Sequence, residues 1–214
     1  QTTRGLMTFV EFWHQLWENI RNASVPEYIA VIAGIASVWF SRRENILLYP
    51  VGLINTIFYT YLSFRSQLLG EASVNLYYSV ISVYGWWIWS RKDRQSRPVL
   101  AITFSTRTQW LYHLGFLLFF YTAIFFALSF LKKAFAPDAI PWADAFASAT
   151  AYTGMWLMAR KKVESWYWWI ATNIASIPLY FVKGLALTSV YYLILLFLAV
   201  AGLLTWRQKA AKQQ

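Results

Sequence analysis

The stretch Glu164-Ser-Trp-Tyr-Trp-Trp-Ile-Ala-Thr-Asn173 opens a long run without charge, and it holds three tryptophans, a tyrosine and, one turn further in, an asparagine. Aromatic side chains at the edge of an apolar run mark a membrane–water interface. An amide one turn deeper does not fit that belt, because a polar group inside a span must find a hydrogen-bonding partner. Trp166, Trp169 and Asn173 are spaced i, i+3, i+7 and so share one helical face. Two indoles and an amide along one face suit a flat ring whose edge needs a hydrogen bond. The alternative is an aromatic belt with an interhelical asparagine contact.

Outward from this stretch the pattern repeats. Of the 214 residues, 58% are hydrophobic and 13% charged, too apolar for a soluble domain of this size. No Asp, Glu, Lys or Arg lies between Glu44 and Arg65, Glu71 and Arg91, Arg107 and Lys132, Glu164 and Lys183, or Lys183 and Arg207. Spanning a bilayer core takes about 20 apolar residues, so these five gaps read as transmembrane helices. The shorter gaps from Glu27 to Arg42 and from Asp144 to Arg160 span if their terminal basic residues snorkel. That predicts seven spans. Ahead of them, Leu6, Phe9, Val10, Trp13, Leu16, Trp17 and Ile20 recur at helical spacing, with Glu11, Gln15, Glu18 and Asn19 opposite. This predicts an amphipathic helix lying on the membrane surface.

The formal net charge of +10 is not read as a nucleic-acid footprint, because the positive residues fall in the loops. With seven spans, thirteen lysines and arginines share the side of Arg42 and Arg160, and six share the side of Arg21 and Lys183. The richer side is cytoplasmic by the positive-inside rule, which puts the N-terminus outside and the C-terminus inside. Cysteine is absent and histidine occurs only as His14 and His113. No Ser-His-Asp set, metal-binding helix motif or phosphate-binding glycine loop is present. The chain is therefore expected to need no cofactor and no metal, and not to be an enzyme. A membrane enzyme using His113 or Glu164 is the competing class, with His113 itself read as structural.

A repeat organises the chain. At a shift of 118 residues Arg42 meets Arg160, Tyr49 meets Tyr167 and Asn55 meets Asn173. At a shift of 117, Leu76 meets Leu193, Gly85 meets Gly202, Trp89 meets Trp206 and Lys92 meets Lys209. The expected fold is an all-α integral membrane protein of seven transmembrane helices in a 3+1+3 arrangement, with two parallel three-helix repeats. The boundaries are 1–25 for the surface helix, 26–92 for the first repeat, 93–140 for the linker helix and its loops, 141–208 for the second repeat and 209–214 for the tail. In transporters with parallel repeats the site lies at mid-membrane between the repeats. Asn55 and Asn173 are expected to meet there, and Asn75 and Tyr192 add hydrogen-bonding side chains from the third helix of each repeat. Gln67 and Glu71 are placed at the outer mouth.

These residues resemble a known family. "ESWYWWIATN" with "LYFVKGLALTSVYYLILLFLAVAGLLTWRQK" resembles the sixth and seventh helices of PnuC-type nicotinamide riboside transporters, and "GEASVNLYYSVISVYGWWIW" resembles their third. The likeness covers about residues 26 to 210 and includes the Gly85/Trp89 and Gly202/Trp206 helix ends. It implies a SWEET-like bundle in the bacterial inner membrane that binds substrate at Trp166, Trp169 and Asn173, to which the repeat adds Asn55, Asn75 and Tyr192. It implies a homo-oligomer, taken as a trimer, and uncoupled transport in which a separate cytoplasmic kinase retains the substrate. Nicotinamide riboside fits physically: an indole face attracts its pyridinium, and an asparagine offers its carboxamide both a donor and an acceptor. Thiamine, with its thiazolium ring, or another vitamin or nucleoside is the alternative substrate.

Overall fold

A computed structural model describes residues 9–65, 69–92, 98–135 and 139–212. The described residues form eight helices and no sheet. They are α1 (Phe9–Asn22), α2 (Val25–Arg42), α3 (Leu48–Arg65), α4 (Leu69–Ser90), α5 (Arg107–Phe135), α6 (Pro141–Ala159), α7 (Ser165–Val182) and α8 (Ala186–Ala211). Within a bilayer only structures that satisfy their own backbone groups are tolerated, and helices do so.

By length and composition, two described helices are apolar enough to cross a membrane: Arg107–Phe130, with mean hydropathy 1.9, and Ala186–Ala211, with 2.3. A third span arises if α1 and α2, bent by 110° at their junction, count as one. The other described helices are less apolar, and several of their tyrosines, threonines, serines and asparagines line an internal cavity. α1 is the expected amphipathic helix. Leu16 is its buried anchor, Trp13 and Trp17 are exposed, and Gln15 donates through Nε2 to the carbonyl of Gly184 in the α7–α8 turn. Gly184 turns with φ +77, a conformation that side chains with a Cβ resist.

The helices begin where their sequences dictate. Ser24 and Glu27 form a capping box on α2, and Pro26 sits in its first turn. α6 starts on Pro141, and Asp144 Oδ2 accepts the Ile140 N–H at 2.6 Å. Neighbours in sequence pack together: α2 with α3, α3 with α4, α5 with α6, α6 with α7, and α7 with α8. Two further contacts close the bundle, α2 with α8 and α4 with α6.

One set of contacts occurs twice, 117 residues apart. Among the described residues, Glu44 (φ 59) and Lys161 (φ 52) are the non-glycine residues with left-handed backbone, each in the turn after the first helix of its set. The Tyr49 ring lies on Gly85 and meets Trp89 edge-on at 5.2 Å; the Trp166 ring lies on Gly202 and meets Trp206 edge-on at 5.5 Å. α3 and α7 both hold 18 residues, starting at 48 and at 165. The shift of 118 expected for the first two helices is therefore one residue too long. On the observed register Asn55 corresponds to Thr172, and Asn173 to Thr56. One residue is 100° of helix, so the two asparagines do not occupy matching positions.

These aromatic rings form the core at one end of the bundle, together with Leu48, Ile102, Met158 and Val163. The bonds there are exchanged between the two sets: Trp89 Nε1 donates to the Ala159 carbonyl at 3.0 Å, and Trp206 Nε1 to the Ser41 carbonyl at 3.1 Å. Both carbonyls belong to the final turns of their helices, where the intrahelical ladder runs out; that of Ser41 also accepts the Glu44 N–H at 2.9 Å. Glu44 binds Lys161 at 2.8 Å and Lys209 at 3.0 Å, and the Lys161 ammonium sits 4.5 Å over the Trp89 ring. Burial raises the Glu44 carboxyl, but hydrogen bonds from the two lysines outweigh it and hold the group below its ordinary 4.5.

Candidate substrate cavity

Between the two sets of helices lies a cavity of about 1100 Å³. Such a volume is at the upper end for small-molecule sites. One end is closed by the aromatic core, where Ser41, Leu48, Met158 and Trp166 line it. At the other end it is lined by Glu27, Asp144 and Lys183. All six residues expected at a site, Trp166, Trp169, Asn173, Asn55, Asn75 and Tyr192, line this one cavity.

They differ in what else they do. Trp166 is 1% exposed, with its ring wedged between Gly202 and Trp206. It is a wall at the closed end more than a free indole face. Trp169 is half-buried; its ring passes over Gly154, and Tyr78 lies 6.2 Å away at 52°. Asn55 Nδ2 donates to the Ala30 carbonyl of α2 at 2.6 Å, and its side chain also hydrogen-bonds Tyr191. A Cβ on Gly34 would strike the Tyr191 hydroxyl and the Asn55 amide, so glycine is required for this three-helix junction. Asn55 thus ties α2, α3 and α8 together.

Asn173 is different. It is 2% exposed, and its Oδ1 is an acceptor with no hydrogen-bond partner among the described residues, whereas the unpaired polar atom of Trp166 is a donor, Nε1, at the closed end. A buried acceptor left unpaired costs roughly 1–3 kcal/mol. Here the orphan borders the cavity one helical turn beyond Trp169. A ligand that brings an N–H to this oxygen removes the penalty.

The structure adds residues that the sequence reading left out. Tyr78, Tyr152 and Tyr191 line the cavity with Tyr192. Tyr77 stacks on Tyr152 at 4.1 Å, and Tyr191 meets Tyr192 edge-on at 5.6 Å. Tyr78 was findable, because it follows Asn75 by one turn on the same face. Gln67 and the side chain of Glu71 lie outside the described residues.

The two residues of the enzyme alternative lie elsewhere. Glu164 accepts from the Ser105 N–H and hydroxyl, both at 2.8 Å, and so clamps the segment before α5 to the start of α7. His113 is buried beside Trp110 and borders a small groove with Thr153 and Trp156, apart from the central cavity. Among the described residues no His, Cys, Asp and Glu cluster could hold a metal ion.

The chain is similar to known proteins in sequence and in fold. The chain is 27% identical over 207 residues to the nicotinamide riboside transporter PnuC of Escherichia coli (strain K12), covering 87% of each. It is 24% identical over 195 residues to the riboflavin/roseoflavin transporter RibM of Streptomyces davaonensis, covering 90% of this chain and 85% of that one. The crystal structure of the vitamin B3 transporter PnuC superposes with a TM-score of 0.72 at 23% identity, covering 95% of this chain and 89% of that one. Residues 24–208 match the nicotinamide mononucleotide transporter family along nearly the whole described chain. With that match over most of its length, the chain belongs to this family as a PnuC-type, multi-pass transporter of the bacterial inner membrane.

Proposed function

We propose that this chain carries nicotinamide riboside by facilitated diffusion, with the substrate held in the central cavity. The observation that carries the proposal is the orphaned Asn173 Oδ1, buried one turn from the Trp169 indole. The carboxamide N–H₂ of the substrate satisfies that oxygen. Its pyridinium lies against the indole, an attraction of about 2 kcal/mol or more once water is excluded. Asn75 and Tyr192 face the ribose, and the tyrosine wall excludes water.

The riboside is favoured over the mononucleotide for an electrostatic reason. Lys183 is the one basic residue lining the cavity among the described residues, and Asp144 already holds it at 2.6 Å. A phosphate dianion would find no free cation there, and an unpaired buried charge is prohibitive. A second substrate class has support from the riboflavin relative. A flavin also offers a flat ring with a hydrogen-bonding edge, and thiamine offers a cationic ring.

The architecture belongs to the same proposal. Seven spans are arranged 3+1+3, with α2–α4 and α6–α8 as parallel repeats, α5 between them and α1 on the surface. The contacts repeated at 117 residues support this, as do the matched α2–α8 and α4–α6 packings. The proposed orientation has the closed end, with Arg42, Lys161 and Arg207, in the cytoplasm and the Lys183 end outside; the excess of basic residues supports it. The protein assembles as a homo-oligomer, proposed as a trimer, and a separate kinase traps the substrate inside. The test is calorimetric titration of the purified protein with nicotinamide riboside, thiamine and riboflavin, followed by uptake into liposomes with the potential clamped at zero. Binding of a rival but not of the riboside overturns the substrate. Accumulation driven by a proton or sodium gradient overturns facilitated diffusion.

A further inference from the structure

At the end of the cavity away from the aromatic core, Asp144 Oδ1 holds the Lys183 ammonium at 2.6 Å, with the two side chains 17% and 13% exposed. The same ammonium lies 5.6 Å from the Tyr180 ring centre. Tyr180 stacks on Tyr192 at 5.2 Å and 8°, which fixes its plane. The second carboxylate oxygen is fixed by the Ile140 N–H. A carboxylate and an aromatic face around one ammonium make a cation-recognition arrangement, and all four side chains line the cavity that leads to Trp169 and Asn173. Glu27, the counterpart of Asp144 at 117 residues, lines the same end.

We propose that Asp144 and Tyr180 form a receiving site for an organic cation at the mouth of the cavity, filled at rest by Lys183 and taken over by the arriving substrate. This rests on the reading of the chain as a carrier of a pyridinium riboside. The ammonium is a tethered competitor. Its tether keeps it close, and the pair lines the cavity through which a substrate cation arrives, so that cation can exchange with it. The exchange involves no covalent change. It acts on cations alone, which separates it from the ring and amide contacts deeper in the cavity. Charges at a rim govern association rate more than final affinity, so the proposal concerns the rate of capture.

The experiment follows stopped-flow association of purified protein with nicotinamide riboside and with its dihydro form, which keeps the carboxamide and ribose but carries no charge. Lys183→Met is expected to speed capture of the cation by about threefold to tenfold, and Asp144→Asn to slow it by about as much. Tyr180→Leu changes no charge and is expected to slow the cation alone. The double variant Asp144→Asn/Lys183→Met removes both charges together, avoids a lone buried carboxylate, and is expected to fall between the two single variants. Rates for the cation and the neutral ligand that move together in these variants overturn the proposal, as does a Lys183→Met protein that captures the cation more slowly. If the wild-type protein binds neither ligand, the carrier reading falls and takes this inference with it. Wild-type binding with charge-blind variants refutes this inference alone.

Discussion

Trp166 and Trp169 stand one turn apart on α7, and the structure separates their roles sharply enough to test. Trp166 is 1% exposed, lies on Gly202 and meets Trp206 edge-on at 5.5 Å. Replacing it with alanine removes a ring from a packed layer, and Trp→Ala in a core costs about 3–5 kcal/mol. Trp169 is half-buried against the cavity, with Gly154 beneath it. Its loss leaves the ends of the bundle intact but removes the face proposed to receive a cationic ring. At about 2 kcal/mol for that contact, Trp169→Ala weakens substrate binding roughly 30-fold. The assay has two arms on the same preparations: the aggregation temperature in detergent by size-exclusion chromatography, and titration calorimetry below that temperature. The expected result is a crossed pattern, with Trp166→Ala losing stability and Trp169→Ala losing affinity. A Trp166→Ala protein of undiminished stability that no longer binds, or a Trp169→Ala protein that binds normally, refutes the division.

Further outcomes follow from other contacts. Asn173→Ala is expected to cost about 1–3 kcal/mol of binding, measured by calorimetry, because the carboxamide loses its acceptor. Gly85→Ala and Gly202→Ala drive a methyl into the Tyr49 and Trp166 rings and are expected to destabilise by about 1–3 kcal/mol each, whereas Gly115, with no neighbour within 4 Å, tolerates alanine. Equal melting temperatures for all three would contradict this packing. The Glu44 carboxyl is held low by its two lysines, so its contribution is complete above its ordinary 4.5 and lost as pH falls through the lower folded value. The melting-temperature gap between wild type and Glu44→Gln is therefore expected to close toward acid pH, and a gap that widens there reverses the sign. A reporter fused after Gln214 is expected to be active only in the cytoplasm.

Much of the fold is legible because charge-free runs and helical periodicity are properties of single segments. The helix starting at Ser165 and the amphipathic α1 are read from local sequence alone. The register of the repeat is less legible. Arg42 with Arg160 and Asn55 with Asn173 are identities at 118, but ring-on-glycine packing and left-handed turns set the register at 117. Identity of side chains is weak evidence when half the chain is drawn from a few apolar types. At the candidate site, spacing singled out Trp169 and Asn173 and the repeat singled out Asn55; all three line the cavity, but Asn55 pairs with Ala30 and Tyr191 and not with Asn173. Sequence could not tell that Asn55 spends its donor on Ala30 while Asn173 keeps an open acceptor. That distinction depends on which neighbouring helix approaches, and no periodicity encodes it.

The two left-handed turns, at Glu44 and Lys161, occupy matching places yet carry opposite charge, and they are joined to each other at 2.8 Å. Two copies of the first half would set glutamate against glutamate, and two copies of the second would set lysine against lysine. Either self-pairing buries a repulsion where the native chain buries an attraction. The halves therefore behave as a lock cut from one blank and a key cut from another: similar enough to mate, and made unequal so that each accepts only its complement.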